Sequence, residues 1–337
     1  MKVLITGGAG YIGSHTALEL INKKYDISVI DNFSNGSIES LKRVQEYTGK
    51  VFDILNIDIT DLKSLKKDFI SINPDCVIHF AGLKSVSESV EDPIKYYKNN
   101  VSGSLNLLEV MDHCECNNII YSSSATVYGD PKYLPYDEAH DTNPVNPYGV
   151  SKLMVEDILK TWSSSNILRS SISLRYFNPV GAHFSGIIGE DPKGIPNNLM
   201  PYISQVASGQ RDKLYIYGND YNTRDGTGER DYIHVTDLAF AHISALKRID
   251  EFQGHNVFNI GSGRGVTVLE ILNSFEKISG KKISYEFKDR RPGDLASFWA
   301  CPNKAKEFLG WETLISLDEV CRDSWNWQKN NPNGYPK

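Results

Sequence analysis

The sequence predicts an α/β protein: a Rossmann-type, doubly wound parallel sheet with a smaller α/β substrate-binding domain. Three observations lead there. Short β-rich runs alternate with helical stretches through the first half of the chain. Several of those runs are apolar at consecutive positions, as strands covered on both faces must be. A glycine-rich turn joins the first run directly to the first helical stretch.

The elements follow in order. Residues 2–5, 26–30, 76–80, 118–122 and 171–177 read as strands at the spacing of βαβ units, so the sheet is expected to be parallel with helices on both faces. Near Asn178 the texture changes. Residues 179–228 are rich in Gly, Pro and Asn, with a helix expected over 199–208, a strand over 214–217 and a long loop over 219–230. Loops of that length inside an enzyme usually carry function. Thr267 with Glu270, and Ser316 with Glu319, are capping boxes that open two late helices. Leu317, Val320, Cys321 and Trp325 then share one helical face. The expected division is a dinucleotide-binding domain over 1–177 and a second domain over 178–337, with a segment near 231–248 packing back on the first.

Composition removes several classes. Of 337 residues, 40% are hydrophobic and 23% charged, which excludes disordered and fibrous chains. A net charge of −6 disfavours general binding to nucleic acid or to anionic membranes. The five cysteines form no C-x-x-C pair, an odd and scattered set that suits a reducing compartment. The first strand starts at Lys2, so no targeting segment is expected, and no apolar run reaches the roughly 20 residues of a membrane span. The expectation is a cytoplasmic protein without a metal site.

The stretch T-G-G-A-G-Y-I-G-S-H places Gly7, Gly8, Gly10 and Gly13 between a strand and a helix. Alone, such a glycine run is weak evidence. In this context the first glycines permit a tight turn, Gly10 lets backbone approach a pyrophosphate at the helix N-terminus, and Gly13 allows close packing of helix on strand. Asp31 ends the second strand at the distance this fold uses for a ribose-binding carboxylate, which would favour NAD over its 2′-phosphorylated form. The competing reading is a polar strand end.

Downstream, S-S-S-A-T-V-Y-G closes a strand at Ser124, and Y-G-V-S-K sets Tyr148 and Lys152 one helical turn apart. That pair is common by chance and gains meaning from the serine-rich strand end and the glycine turn. A phenol is a poor base at neutral pH, and a neighbouring ammonium together with a cationic nicotinamide would favour its phenolate. Tyr148 would then take a hydroxyl proton while hydride leaves the same carbon, with Ser124 hydrogen-bonded to the developing oxyanion.

These motifs, with H-F-A-G-L-K, Y-Y-K-N-N-V, L-R-Y-F-N-P-V-G-A-H, G-I-P-N-N-L-M-P-Y-I, D-G-T-G-E-R-D-Y-I-H and the closing N-G-Y-P, run nearly end to end. The chain resembles the extended short-chain dehydrogenases/reductases, and among them the epimerases that act at C4 of UDP-hexoses. The resemblance implies NAD contacts at Tyr11, Ile12, Asp31, Asn32, Asp58, Ile59, Phe80, Ala81, Gly82, Lys84, Asn99, Ser124, Tyr148, Lys152 and Phe177, besides the glycine turn. It implies UDP-sugar contacts at Asn178, Asn198, Leu199, Tyr215, Tyr217, Arg230, Arg291, Asp294 and Phe298, and a homodimer. Arg230 and Arg291 also make sense unaided, because a diphosphate suits forked donors.

Related 4,6-dehydratases carry an Asp-Glu pair where this chain has Ala125 and Thr126, neither of which can serve as acid or base. A net oxidoreductase, and a catalytically inert fold used for binding, are the other classes; the intact Ser124, Tyr148 and Lys152 speak against the last. Phe298 is expected beside C2 of the sugar, the competing reading being that it packs in the core.

Overall fold

The computed structural model describes residues 1–194, 196, 198–291 and 293–336. Its centre is a parallel sheet of seven strands. In chain order the first half runs β1 (Lys2–Thr6), α1 (Tyr11–Asn22), β2 (Asp26–Asp31), α2 (Ile38–Thr48), β3 (Asp53–Asn56), α3 (Leu62–Ile72) and β4 (Cys76–His79). Then come α4 (Val86–Glu91), α5 (Pro93–Tyr96), a π-helical turn (Tyr97–Ser102), α6 (Gly103–His113), β5 (Asn118–Ser124), α7 (Pro147–Ser164) and β6 (Ser170–Tyr176).

The second half contributes β7 (Asn178–Val180), α8 (Leu199–Ala207), β8 (Leu214–Tyr217), β9 (Glu229–Arg230), β10 (Tyr232–His234), α9 (Val235–Arg248) and β11 (Gly254–Ile260). It ends with β12 (Val266–Thr267), α10 (Val268–Ser279), β13 (Tyr285–Lys288), β14 (Ser297–Phe298) and α11 (Leu317–Asn330).

The large sheet has the order β3-β2-β1-β4-β5-β6-β11. Strand order reverses between β1 and β4, and a crevice opens there beyond the carboxyl ends of the strands. Core strands such as Val3-Leu4-Ile5 and Cys76-Val77-Ile78 are fully buried, because helices cover both faces. Helix α9 packs on α1, and β11 pairs with β6 along its whole length, so residues 235–260 help to build the core around the large sheet. The return of β11 went unseen because G-H-N-V-F-N-I has polar residues where a central strand would be apolar. As the sheet's last strand, it exposes one edge.

The remaining second half is a smaller layer of short strands against α8, α10 and α11. β9 lies between β12 and β14, β8 pairs with β13, and β7 with β10. Both capping boxes form as the sequence indicates, and Val320 and Cys321 are buried with Leu317 and Trp325 packed alongside. Asp231 ties this layer to the large sheet. Its carboxylate accepts from the amides of Ser262, Gly263 and Ala300 and from the Ser262 hydroxyl.

Candidate active site

The cofactor side is built from the turn after β1. Gly7 sits at φ +70°, and a Cβ there would lie 2.6 Å from the Ala81 amide nitrogen. A Cβ on Gly13 would lie 2.5 Å from the Gly7 carbonyl. Both positions therefore need glycine for reasons internal to the protein. Gly10 differs: its nearest obstruction would be 3.3 Å away, so the protein itself nearly tolerates a side chain there. The need at Gly10 points outward, to a ligand that approaches backbone. Gly10 precedes α1 without a side-chain cap, and the first turn of α1 carries no acidic residue. That leaves an electropositive helix end facing the crevice.

Asp31 ends β2. Oδ2 accepts from the Ala9 amide at 2.9 Å and Oδ1 from Phe33 at 2.8 Å, which pins the glycine turn to the second strand. Burial raises its pKa against these bonds. Asn32 donates to Asp58 at 2.8 Å. Burial opposes ionisation of Asp58, but Thr60 and Asn32 outweigh it and hold the carboxyl below its ordinary value. Ile12 packs on the core, and Ile59 lies under Gly103. Tyr11 turns its hydroxyl to the Gly181 carbonyl at 2.6 Å, so it also joins the two halves.

Beyond β4, the amides of Phe80 and Ala81 both donate to the Thr6 carbonyl. The Phe80 ring rests on His242, with Gly82 and Lys84 next in the loop. Asn99 is half-buried in the π-helical turn. Its neighbour Asn100, which the sequence reading did not single out, does the holding. Asn100 Oδ1 accepts from Leu83 N at 2.7 Å, and Nδ2 donates to Leu83 O and Ser151 Oγ at 3.1 Å each. It fastens the loop that follows β4 to helix α7. A π turn at such a place is a recurrent mark of function, and the N-N doublet is the only signal the sequence offered.

Ser124 is the last residue of β5, and its Oγ accepts from the Thr126 amide and hydroxyl at 3.2 and 3.0 Å. Asn146 caps α7, placing Tyr148 in the first turn and Lys152 one turn on. Lys152 Nζ donates to the Ser122 carbonyl at 2.7 Å and lies 5.8 Å from the Tyr148 ring centre. Burial pushes the ammonium down to about 8, with Glu156 opposing. The expectation that Lys152 lowers the Tyr148 phenol is corrected here. Burial dominates and raises it, and the group that pulls it back is the Ser124 hydroxyl. Behind this trio Arg175 and Ser123 both donate to the buried Glu156 carboxylate, and Arg175 stacks 4.8 Å from the Tyr128 ring centre.

On the facing side, Phe177 and Asn178 follow β6, and Asn178 N donates to Asp231 O at 3.0 Å. Tyr215 and Tyr217 share the outer face of β8, while Leu214 and Ile216 point into the core. The Arg291 guanidinium lies 3.9 Å from the Tyr217 ring centre. Arg230 donates to the Glu229 and Leu295 carbonyls and, at 2.6 Å, to Asp294. Asn198 precedes Leu199 at the start of α8 and donates to Glu190 at 2.7 Å. Phe298 is half-buried, its ring centre 5.0 Å from that of Phe177 and 4.9 Å from that of Tyr136, against a cluster that includes Ala125 and Val127 just after Ser124. Its ring therefore packs against that cluster and is only partly buried.

The comparisons with known proteins can be set against this geometry. The family model described as GDP-mannose 4,6 dehydratase matches residues 4–324. A human UDP-glucose 4-epimerase is 52% identical over 341 residues, covering 99% of this chain and 98% of that one. The UDP-glucose 4-epimerase of Bacillus subtilis (strain 168) is 52% identical over 335 residues, with 99% of each covered. A crystal structure of the Bifidobacterium longum UDP-glucose 4-epimerase, in complex with NAD+ and UDP, superposes with a TM-score of 0.95 at 49% identity. It covers 99% of this chain and all of the other. The chain belongs to the UDP-glucose 4-epimerase family.

At the end of β5 this chain has buried Ala125 and half-buried Thr126, with no acid at either position. Residues that the motifs did not reveal are mostly supports: Asn100, Glu156, Arg175 and Asp231. Their signal is tertiary, since each serves partners distant in sequence. No helix among the described residues is long and apolar enough to cross a membrane.

Proposed function

We propose that this protein interconverts UDP-galactose and UDP-glucose by transient oxidation at C4 with an enzyme-bound NAD, a step of galactose metabolism. The observation that carries the reading is that Ser124 at the end of β5 meets Tyr148 of α7, with Lys152 one turn on and anchored to the Ser122 carbonyl, and no acid or base at 125 and 126. The residues present fit the cofactor: Gly10 leaves room for a pyrophosphate, the end of α1 is uncapped, and Asp31 stands where ribose hydroxyls need an acceptor.

When bound, NAD supplies the hydride acceptor and a positive charge near the phenol. Tyr148 holds the proton that leaves and returns at O4 of the sugar, and Ser124 hydrogen-bonds the same oxygen as its charge develops. Lys152, anchored to the Ser122 carbonyl, holds its ammonium 5.8 Å from the Tyr148 ring centre, and the Ser124 hydroxyl offsets part of the buried phenol's reluctance to ionise. Arg230 and Arg291 grip the diphosphate from the second half. Anchoring through UDP leaves the hexose free to turn over and take hydride back on its other face.

Two finer points belong to the same proposal. Val90, Ile94, Leu105 and Met154 are exposed on α4, α5, α6 and α7. Apolar side chains on these neighbouring helices suit a second copy of the chain, so the protein is a homodimer in this reading. Its five cysteines are all free, as suits the cytoplasm. The deciding experiment incubates the purified protein with UDP-galactose and no added cofactor. UDP-glucose should appear, whereas stoichiometric release of reduced cofactor would replace the epimerase by an oxidoreductase. Sedimentation at several concentrations tests the dimer.

A further inference from the structure

Among the described residues, every hydrogen bond to the Glu190 carboxylate comes from two side chains on opposite sides of the groove. Lys84 Nζ, in the loop after β4, lies 3.3 Å from Oε1, and Asn198 Nδ2 donates to the same oxygen at 2.7 Å. The Glu190 side chain is only 8% exposed, whereas that of Lys84 is 54% exposed.

The backbone around Glu190 is held by the C-terminal segment. Trp327 Nε1 donates to the Glu190 carbonyl at 3.1 Å. The Tyr335 amide donates to Asp191 Oδ2 at 2.9 Å, and its hydroxyl meets the Gly189 amide at 3.2 Å. Gly334 has φ +73°, and a Cβ there would lie 2.1 Å from Asp191 Oδ1. This accounts for the closing N-G-Y-P stretch, which the catalytic reading left unused. Arg43 of α2 completes the clamp by donating to Ile187 O at 3.0 Å and Asn331 Oδ1 at 2.6 Å.

A half-exposed lysine paired with a carboxylate adds little stability. Burying the carboxylate is costly unless it is paired and hydrogen-bonded, and both of its partners meet it at Oε1. Here the position is enforced from three directions, and the partners it serves face different ligands. We propose that Glu190 is a positioning residue that couples the two halves of the site, by holding Lys84 on the cofactor side and Asn198 on the UDP-sugar side with one oxygen. This rests on the assignment of Lys84 to NAD and Asn198 to the sugar nucleotide made above. The backbone of Glu190 is already fixed, so when UDP orders Asn198 it orders the Glu190 and Lys84 side chains with it and NAD is held more firmly; linkage makes the effect reciprocal.

The test uses the holoenzyme and follows loss of NAD after dilution, with and without saturating UDP. In the unaltered protein UDP should slow the loss by about 5-fold or more, the lower end of ordinary coupling. Glu190→Gln keeps the shape and a hydrogen-bonding oxygen for Asn198 but removes the charge that holds Lys84. UDP should still bind, the unfolding midpoint should stay close to that of the unaltered protein, and the ratio of the two NAD-loss rates should fall towards one. Lys84→Met cuts the same bridge at an exposed side chain and should give the same collapsed ratio, which covers a Glu190 variant that fails to fold. A ratio of one in the unaltered protein overturns the proposal. So does a ratio preserved in Lys84→Met or in a folded Glu190→Gln. A protein that binds neither NAD nor UDP sinks the functional reading instead, a different and recognisable result.

Discussion

On the cofactor side, the groups that face the crevice stand at the ends of long buried parallel strands: Ser124 closes a strand of seven residues, and Phe177 directly follows another of seven. On the substrate side they stand on strands of two, three or four residues, such as Glu229–Arg230, Asn178–Val180 and Leu214–Tyr217. The first half is rigid because helices seal both faces of its sheet. The second is held by individual side-chain bonds such as those of Asp231 and Arg230. In the proposed function, chemistry that needs fixed geometry sits on the first, and recognition of a ligand that must be gripped and released sits on the second.

Acid should act most strongly on the first half. Burial pushes His15 and His79 down to about 3 and His242 to about 4, and all three lie in the cofactor half; His183 of the second half is also pushed to about 4. Their folded pKa values lie below the unfolded one, so their contribution is fully present above the unfolded value of about 6.5 and is lost as pH falls to about 4 for His242 and His183 and to about 3 for His15 and His79. From pH 7 to pH 5 each neutral buried imidazole costs up to about 2 kcal/mol of stability. Urea midpoints should therefore fall steeply over that range, and amide exchange at pH 5 should open β1 and β4 before α10 and α11. Equal midpoints at the two pH values, or the opposite order of opening, would break the contrast.

Paired substitutions sharpen it. Arg175→Met leaves the buried Glu156 carboxylate without its cation and should cost about 3–5 kcal/mol in urea unfolding. Arg230→Met removes a partly exposed bridge to Asp294 and two bonds to backbone carbonyls and should cost less, about 1–2 kcal/mol, while weakening UDP binding. Similar stability losses for the two would mean that the halves are equally braced.

This division also decides what could be read from the chain. Gly7, Gly10, Gly13, Asp31, Tyr148 and Lys152 were legible because backbone geometry and helical spacing act over short distances in sequence. The capping serine and threonine of α11 and α10 were legible for the same reason. Glu156 and Arg175 were not, since their pairing needs α7 laid against β6. Asp231 and Glu190 look like any loop carboxylate until distant amides and side chains close around them. The phenolate at Tyr148 was expected from the Lys152 ammonium together with a cationic nicotinamide; the share assigned to Lys152 was misjudged because helical spacing says nothing of burial.

The next effect concerns the chemistry itself. Tyr148→Phe removes the proton carrier while leaving the ring and its packing, so kcat should fall at least ~10²-fold, the usual scale for a positioned acid or base. UDP affinity should persist, because the diphosphate grip belongs to the other half. Equilibrium titration with UDP alongside steady-state rates separates the two. A near-normal kcat would remove Tyr148 from its role, and a lost UDP affinity would show that the halves are not separable.

The smallest expected effect lies where the halves meet. Phe298 comes from a strand of only two residues, but its ring packs on Phe177 and Tyr136, in the cluster that contains Ala125 of the catalytic strand end. The cluster backs one side of the ring, so the ring yields little when a larger group is pressed against its open side. An acetamido group at C2 of the sugar would meet this barrier if Phe298 lines the pocket. Overpacking of that kind costs about 1–3 kcal/mol, or roughly a ten- to two-hundred-fold penalty in kcat/KM. UDP-galactose should therefore be a good substrate and UDP-N-acetylgalactosamine a poor one. Phe298→Cys opens volume at the same place and should narrow the ratio, with little change for UDP-galactose. Rates for both substrates with both proteins decide it. Comparable values in the unaltered protein would show that the ring already leaves room. An unchanged ratio in Phe298→Cys would mean that Phe298 serves the packed cluster alone and that discrimination, where it exists, is set elsewhere in the substrate half.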